Sequence, residues 1–90
     1  MIGCKIFYEG RVQGVGFRYT VRQIAKGFDV VGSVRNLDDG RVELKAGGEE
    51  SEVRDFLQAI RDSELGSFIR NESAHDISPL TDARGFEIAL

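Results

Sequence analysis

Cysteine and histidine each occur once in the 90 residues. One cysteine excludes an internal disulfide and points to a reducing compartment, the cytoplasm. One cysteine and one histidine are too few for a four-ligand zinc centre. No apolar run is long enough to span a membrane, and the N-terminus lacks a signal-peptide pattern. An excess of basic residues is missing too. Twelve Lys and Arg stand against 15 Asp and Glu, a formal charge of −3, which argues against broad nucleic-acid binding. There is no internal repeat, low-complexity tract or linker. Residues 1–90 are therefore read as one domain, small but able to build a single core, and as a monomer.

Apolar periodicity divides the chain. Cys4, Ile6 and Tyr8 alternate with Lys5, Phe7 and Glu9, which predicts a strand with the first three residues buried. Phe17, Val21, Ile24, Ala25 and Phe28 form one stripe of a helix, with Gly27 suited to its C′ position. Val30 to Asn36 reads as a second strand, with Val30, Gly32, Val34 and Asn36 on one face. Leu37-Asp38-Asp39-Gly40 reads as a hairpin turn. Val42, Leu44 and Ala46 predict a third strand, which Gly47-Gly48 should end. Glu49, Glu50 and Glu52 suit the first turn of a second helix, whose apolar face is Val53, Phe56, Leu57 and Ile60. Beyond Leu65-Gly66 the pattern weakens. A fourth strand within Phe68 to His75, a loop at 78–82 and a short final strand of Phe86, Ile88 and Leu90 are expected.

The order is βαββαβ with an extra terminal strand. Two amphipathic helices and strands with one apolar face demand two layers, both helices on one face of a mostly antiparallel sheet. This is the α+β ferredoxin-like split βαβ arrangement. The crossover rule places the first and third strands side by side and parallel at the centre.

The stretch from Gly10 to Arg18, GRVQGVGFR, joins the first strand to the first helix. Three glycines free the backbone to turn successive N–H groups into one concavity, and the loop opens onto a helix N-terminus. Arg18 falls in the first turn, with a guanidinium suited to bidentate binding of phosphate oxygens. The stretch can be an anion cradle, or a tight turn with an exposed arginine. It is not a P-loop, because no Lys-Ser or Lys-Thr follows the glycines, and it lacks the third glycine of a dinucleotide fingerprint.

GRVQGVGFR is similar to the signature of the acylphosphatases, small enzymes that hydrolyse carboxyl phosphates. A second segment of that family, Gly-x-Val-x-Asn followed by an Asp-Gly turn, is matched by Gly32-Ser33-Val34-Arg35-Asn36 and Asp39-Gly40. The resemblance runs from about Lys5 to Ile88. It implies that Arg18 and the backbone N–H groups of Gln13, Gly14, Val15, Gly16, Phe17 and Arg18 hold the phosphate, and that Asn36 holds the attacking water. It also implies release of a carboxylate and inorganic phosphate, the latter as product and inhibitor, with no metal, cofactor or covalent intermediate. Leu37 stands where a small polar residue is frequent, Glu49 where a proline often opens the second helix, and the chain ends without the basic or aromatic residues many members carry.

Asn36 has a structural alternative, in which its side chain hydrogen-bonds the hairpin turn. Asp38 and Asp39 read as turn residues, His75 as a surface residue and Cys4 as an inert core residue. Arg22 and Lys26 read as a solvated face, while Arg11 adds positive potential at the loop mouth. Two other functions compete. One is a non-catalytic acyl-phosphate- or phosphate-binding module of the kind attached to larger carbamoyl-phosphate-processing enzymes. The chain ending with its fold favours a free-standing enzyme. The other is an RNA-binding sheet, which needs exposed aromatics on central strands, where Phe7 is the only good candidate.

Overall fold

A computed structural model describes residues 1–90. The alternation at the N-terminus produces strand β1 (Ile2–Gly10), with Cys4, Ile6 and Tyr8 buried. The glycine stretch leads into helix α1 (Phe17–Ala25), which buries Phe17, Val21 and Ala25. Strands β2 (Val30–Asn36) and β3 (Val42–Gly48) follow, joined by the tight turn. Helix α2 (Glu50–Asp62) buries Val53, Phe56 and Ile60, and a 3₁₀ turn at Glu64–Phe68 buries Leu65. Strands β4 (Ile69–Ile77) and β5 (Phe86–Ile88) complete the chain.

The five strands form one sheet in the order β4-β1-β3-β2-β5. The expected parallel pairing of the first and third strands is corrected. They are neighbours at the centre but run antiparallel, from Ile2 opposite Gly48 to Tyr8 opposite Val42. The hairpin decides the sense. Because β3 returns from β2 through a tight turn, it must oppose β2. The α1 crossover gives β1 and β2 the same direction, so the strand inserted between them opposes both. The one parallel pairing is β2 with β5, Gly32 to Val34 against Phe86 to Ile88.

Sixteen buried residues make one core between the sheet and its helices. Val30, Val34, Val42, Leu44 and Ala46 supply its sheet side, and Tyr8 packs on Phe17 with ring centroids 5.2 Å apart. Phe56 lies between Phe28 and Phe86 of β5, with ring centroids 6.0 and 5.4 Å away.

Several boundaries differ from the sequence pattern. Gly47 and Gly48 lie inside β3, paired with Gly3 and Ile2. They leave room for neighbouring backbone and for the Leu80 side chain, 3.3 Å from where a Gly47 Cβ would sit. Helix α1 ends at Ala25, and Phe28 joins the core from the following turn. Gly27 follows the Lys26 cap but lacks the left-handed conformation of a glycine C′. Instead Lys26, Gly27 and Phe28 donate their N–H groups to the carbonyls three residues back. The bulge of β4 falls at Arg70, because Ile69 pairs with Gly10 but Asn71 with Glu9. Leu90 is fully exposed and outside β5.

Candidate active site

The loop between β1 and α1 is set by two glycines. Gly14 and Gly16 adopt left-handed φ angles of 79° and 76°, a region that L side chains enter at a cost. Neither would meet another atom if it gained a Cβ, so their requirement is conformational and not steric. Val12 is fully buried and Val15 packs against the core, which anchors the loop from below.

This shape leaves a row of free donors. Arg11 donates its backbone N–H to the Phe68 carbonyl, 3.0 Å away, and Thr20 donates to the carbonyl of Gly16, the α1 N-cap, also at 3.0 Å. Between these two residues, from Val12 to Tyr19, no backbone N–H has a backbone acceptor. Gly16 also brings no side chain to cap the helix. Of this stretch, Val12, Gly14, Gly16, Phe17, Arg18 and Tyr19 border one cavity at the positive end of the helix dipole, while Gln13 and Val15 are not part of its lining.

Arg18 and Asn36 border the same cavity, with Val12, Gly14, Gly16, Phe17, Tyr19 and Ile88. Its volume is about 200 Å³. Arg18 is its only charged residue and forms no ion pair. Asn36 reaches the cavity from the last position of β2, opposite Val42 on the helix-facing side. Its carboxamide oxygen, Oδ1, is buried and has no hydrogen-bond partner. A buried acceptor left without a donor is uncommon, because its desolvation is uncompensated.

The turn-bracing role open to Asn36 in the sequence belongs to another residue. Gln13 Nε2 donates to the carbonyls of Leu37 and Arg41, at 2.8 and 2.9 Å. One carboxamide thus ties the glycine loop to the β2–β3 hairpin. Asp39 holds the turn from within. It accepts from the Arg41 backbone N–H at 3.1 Å and from Arg41 Nε at 2.8 Å. Chiefly the backbone bond, aided by the guanidinium, holds the Asp39 carboxyl below its ordinary range.

The sequence thus nominated Gln13 for its backbone, and its side chain was missed. Its signal was faint: a long amide beside a glycine, with both acceptors more than twenty residues away. Arg11, Arg41 and Arg70 line a separate cavity of about 550 Å³, where Glu9 and Asp39 share the space. His75 lies on the opposite sheet face beside Phe7, ring centroids 5.8 Å apart. Cys4 is buried, and burial first, then the nearby Asp76 carboxylate, pushes its thiol up, away from the reactive thiolate. No group of three or more His, Cys, Asp or Glu side chains is placed to hold a metal ion, and no helix is long and apolar enough to cross a membrane.

Comparison with known proteins converges on one family. The acylphosphatase family model matches residues 4–88. The chain is 42% identical over 79 residues to the acylphosphatase of Thermotoga petrophila, covering 88% of each chain. It is 38% identical over 89 residues to that of Bacillus licheniformis, covering 99% of each. The crystal structure of acylphosphatase from Bacillus subtilis superposes with a TM-score of 0.90 at 37% identity, over the whole of both chains.

Proposed function

The chain belongs to the acylphosphatase family, and we propose that the cavity between the glycine loop and the end of β2 is where it hydrolyses its substrate. The protein is an enzyme that cleaves acyl phosphates into a carboxylate and inorganic phosphate.

The phosphoryl group sits on the N–H groups of Gln13 to Arg18, and the Arg18 guanidinium grips two of its oxygens. Asn36 Oδ1 accepts a hydrogen bond from a water and holds it in line with the phosphorus. The water oxygen attacks phosphorus as the bond to the carboxylate oxygen breaks, and the carboxylate leaves with the electron pair. One water proton stays on the new phosphate and the other passes to a phosphoryl oxygen. A carboxylate is a good leaving group, so no strong protein base is needed. The protein positions the reactants and stabilises charge on the equatorial oxygens. The reaction requires no metal, inorganic phosphate competes for the cradle, and the protein works as a monomer in the cytoplasm, where its one buried thiol stays reduced.

One observation carries this reading. An unpaired arginine, an orphaned amide oxygen and most residues of a run of unpaired N–H groups border one cavity that is lined by no carboxylate. The test is hydrolysis of acetyl phosphate with and without a chelator, and with added inorganic phosphate. Chelator leaves the rate unchanged, and phosphate inhibits competitively. Arg18→Lys abolishes turnover and weakens phosphate binding measured by calorimetry, because a point charge cannot reproduce the two-pronged grip. Undiminished phosphate affinity in folded Arg18→Lys moves the anion site elsewhere.

A further inference from the structure

The phosphate cradle is polar, but the cavity that contains it is not wholly so. Val12, Phe17, Tyr19 and Ile88 are half of its lining. Val12 and Phe17 are fully buried and belong to the core. Tyr19 and Ile88 do not have that excuse. Tyr19 is 61% exposed, with no aromatic partner and no hydrogen bond from its side chain. The other large apolar residues exposed to this degree, Met1 and Leu90, are the first and last of the chain. Tyr19 is therefore the one large apolar side chain within the fold that is left open to solvent, and it stands next to Arg18 at the mouth of the reaction cavity. Ile88 comes from β5, whose end is docked by the Ala89 N–H on the Val34 carbonyl at 2.9 Å, so its place beside the cavity is fixed by the sheet.

We propose that Tyr19 and Ile88 form a subsite for the acyl half of the substrate, selecting acyl phosphates whose acyl group is apolar and above all aromatic. The inference rests on the phosphoryl group occupying the cradle. A phosphoryl group held by Arg18 puts the attached acyl group within reach of this apolar rim. The rim offers a ring for stacking and an aliphatic side chain, and Arg18 is engaged with the phosphate. An acyl group that carries a charge finds no free counter-charge there, since Arg18 is the only charged residue that borders the cavity. Small acyl groups such as acetyl are too short to cover the ring.

Steady-state kinetics on benzoyl phosphate and acetyl phosphate test the subsite in wild type, Tyr19→Ala and Tyr19→Phe. The quantity read is the ratio of kcat/KM for benzoyl over acetyl phosphate. Tyr19→Ala lowers that ratio about 10-fold, on the scale of one lost aromatic contact, and the loss falls in KM. Tyr19→Phe keeps the ring and stays within about twofold of wild type. Inorganic phosphate, which has no acyl half, inhibits all three proteins equally. A ratio unmoved by Tyr19→Ala overturns the subsite, as does an equal loss on both substrates. Failure of phosphate to compete with either substrate in the wild type overturns the cradle itself, and is read separately from the ratio.

Discussion

Asn36 carries an amide oxygen into the interior with no donor to meet it. A residue that only braced a turn would be bonded to the turn, and here the turn carbonyls of Leu37 and Arg41 are taken by Gln13. We expect Asn36→Ala to lower kcat by about 100-fold, the scale of losing one preorganised polar group, with the phosphate inhibition constant little changed. Asn36→Asp is also impaired and binds phosphate more weakly through like-charge repulsion. A melting temperature that falls while kcat holds would return Asn36 to a purely structural part. Arg18 and Asn36 were legible as a pair because strand parity puts Asn36 on the helix-facing side and the topology brings both to one edge. Glu43 was not legible. It alternates as an outward residue, yet it is nearly buried and bonded to Arg35 Nε at 2.9 Å across the hairpin. It stands between Phe7 of β1 and Arg35 of β2, cross-strand neighbours that periodicity along a single strand does not record.

At the scale of elements, the site depends on two pieces meeting: the loop that starts α1 and the hairpin that ends β2. Gln13 is the strut between them, through two bonds from one nitrogen. Gln13→Ala should cost about 1–3 kcal/mol in urea unfolding and lower kcat, because the cradle and Asn36 lose their fixed spacing. Gln13→Glu should be worse in both respects, since a carboxylate cannot donate and would face two carbonyl oxygens. Wild-type stability and kcat in Gln13→Ala would show that the amide bonds do not hold the loop. The helices and the first three strands were legible because each shows a clear period with one apolar face. The late strands were harder to place for a physical reason. β4 and β5 are the edges of the sheet, none of their residues is fully buried, and their order depends on which edge remains free. Within β2, Gly32 shows what pattern alone conceals. A Cβ there would lie 1.8 Å from the Lys45 carbonyl oxygen, so this glycine is required by the closeness of β3 and not by any turn.

For the whole molecule, the clearest pH dependence comes from two buried groups of the core. Tyr8 and Cys4 share the buried face of β1, and both are held in their neutral forms. Burial pushes the Tyr8 phenol well up, and the neighbouring Glu72 carboxylate adds to this. A raised value in the folded state means that the unfolded chain releases the proton first. Stability is thus whole below the ordinary values, about 8.5 for a thiol and about 10 for a phenol, and is lost as pH rises towards the folded ones. Urea midpoints should be flat near neutrality and fall above about pH 9, with each group contributing at most about 1.4 kcal/mol per pH unit. Tyr8→Phe should flatten the fall above about pH 10. An unchanged slope in that variant would place the alkaline instability elsewhere.

The unbonded amides from Val12 to Tyr19 also make the empty cradle visible to isotope exchange. In heavy water these positions should take up deuterium early, while the paired amides of β1 and β3 on either side of the central seam hold their protons far longer. Saturating phosphate supplies the missing acceptors. Uptake should then slow at Gln13 to Arg18 and leave the sheet unchanged, so a short protected stretch appears within one loop with no change of fold. Peptide-resolved mass spectrometry reads this directly, and identical uptake with and without phosphate would mean that these N–H groups do not hold the anion.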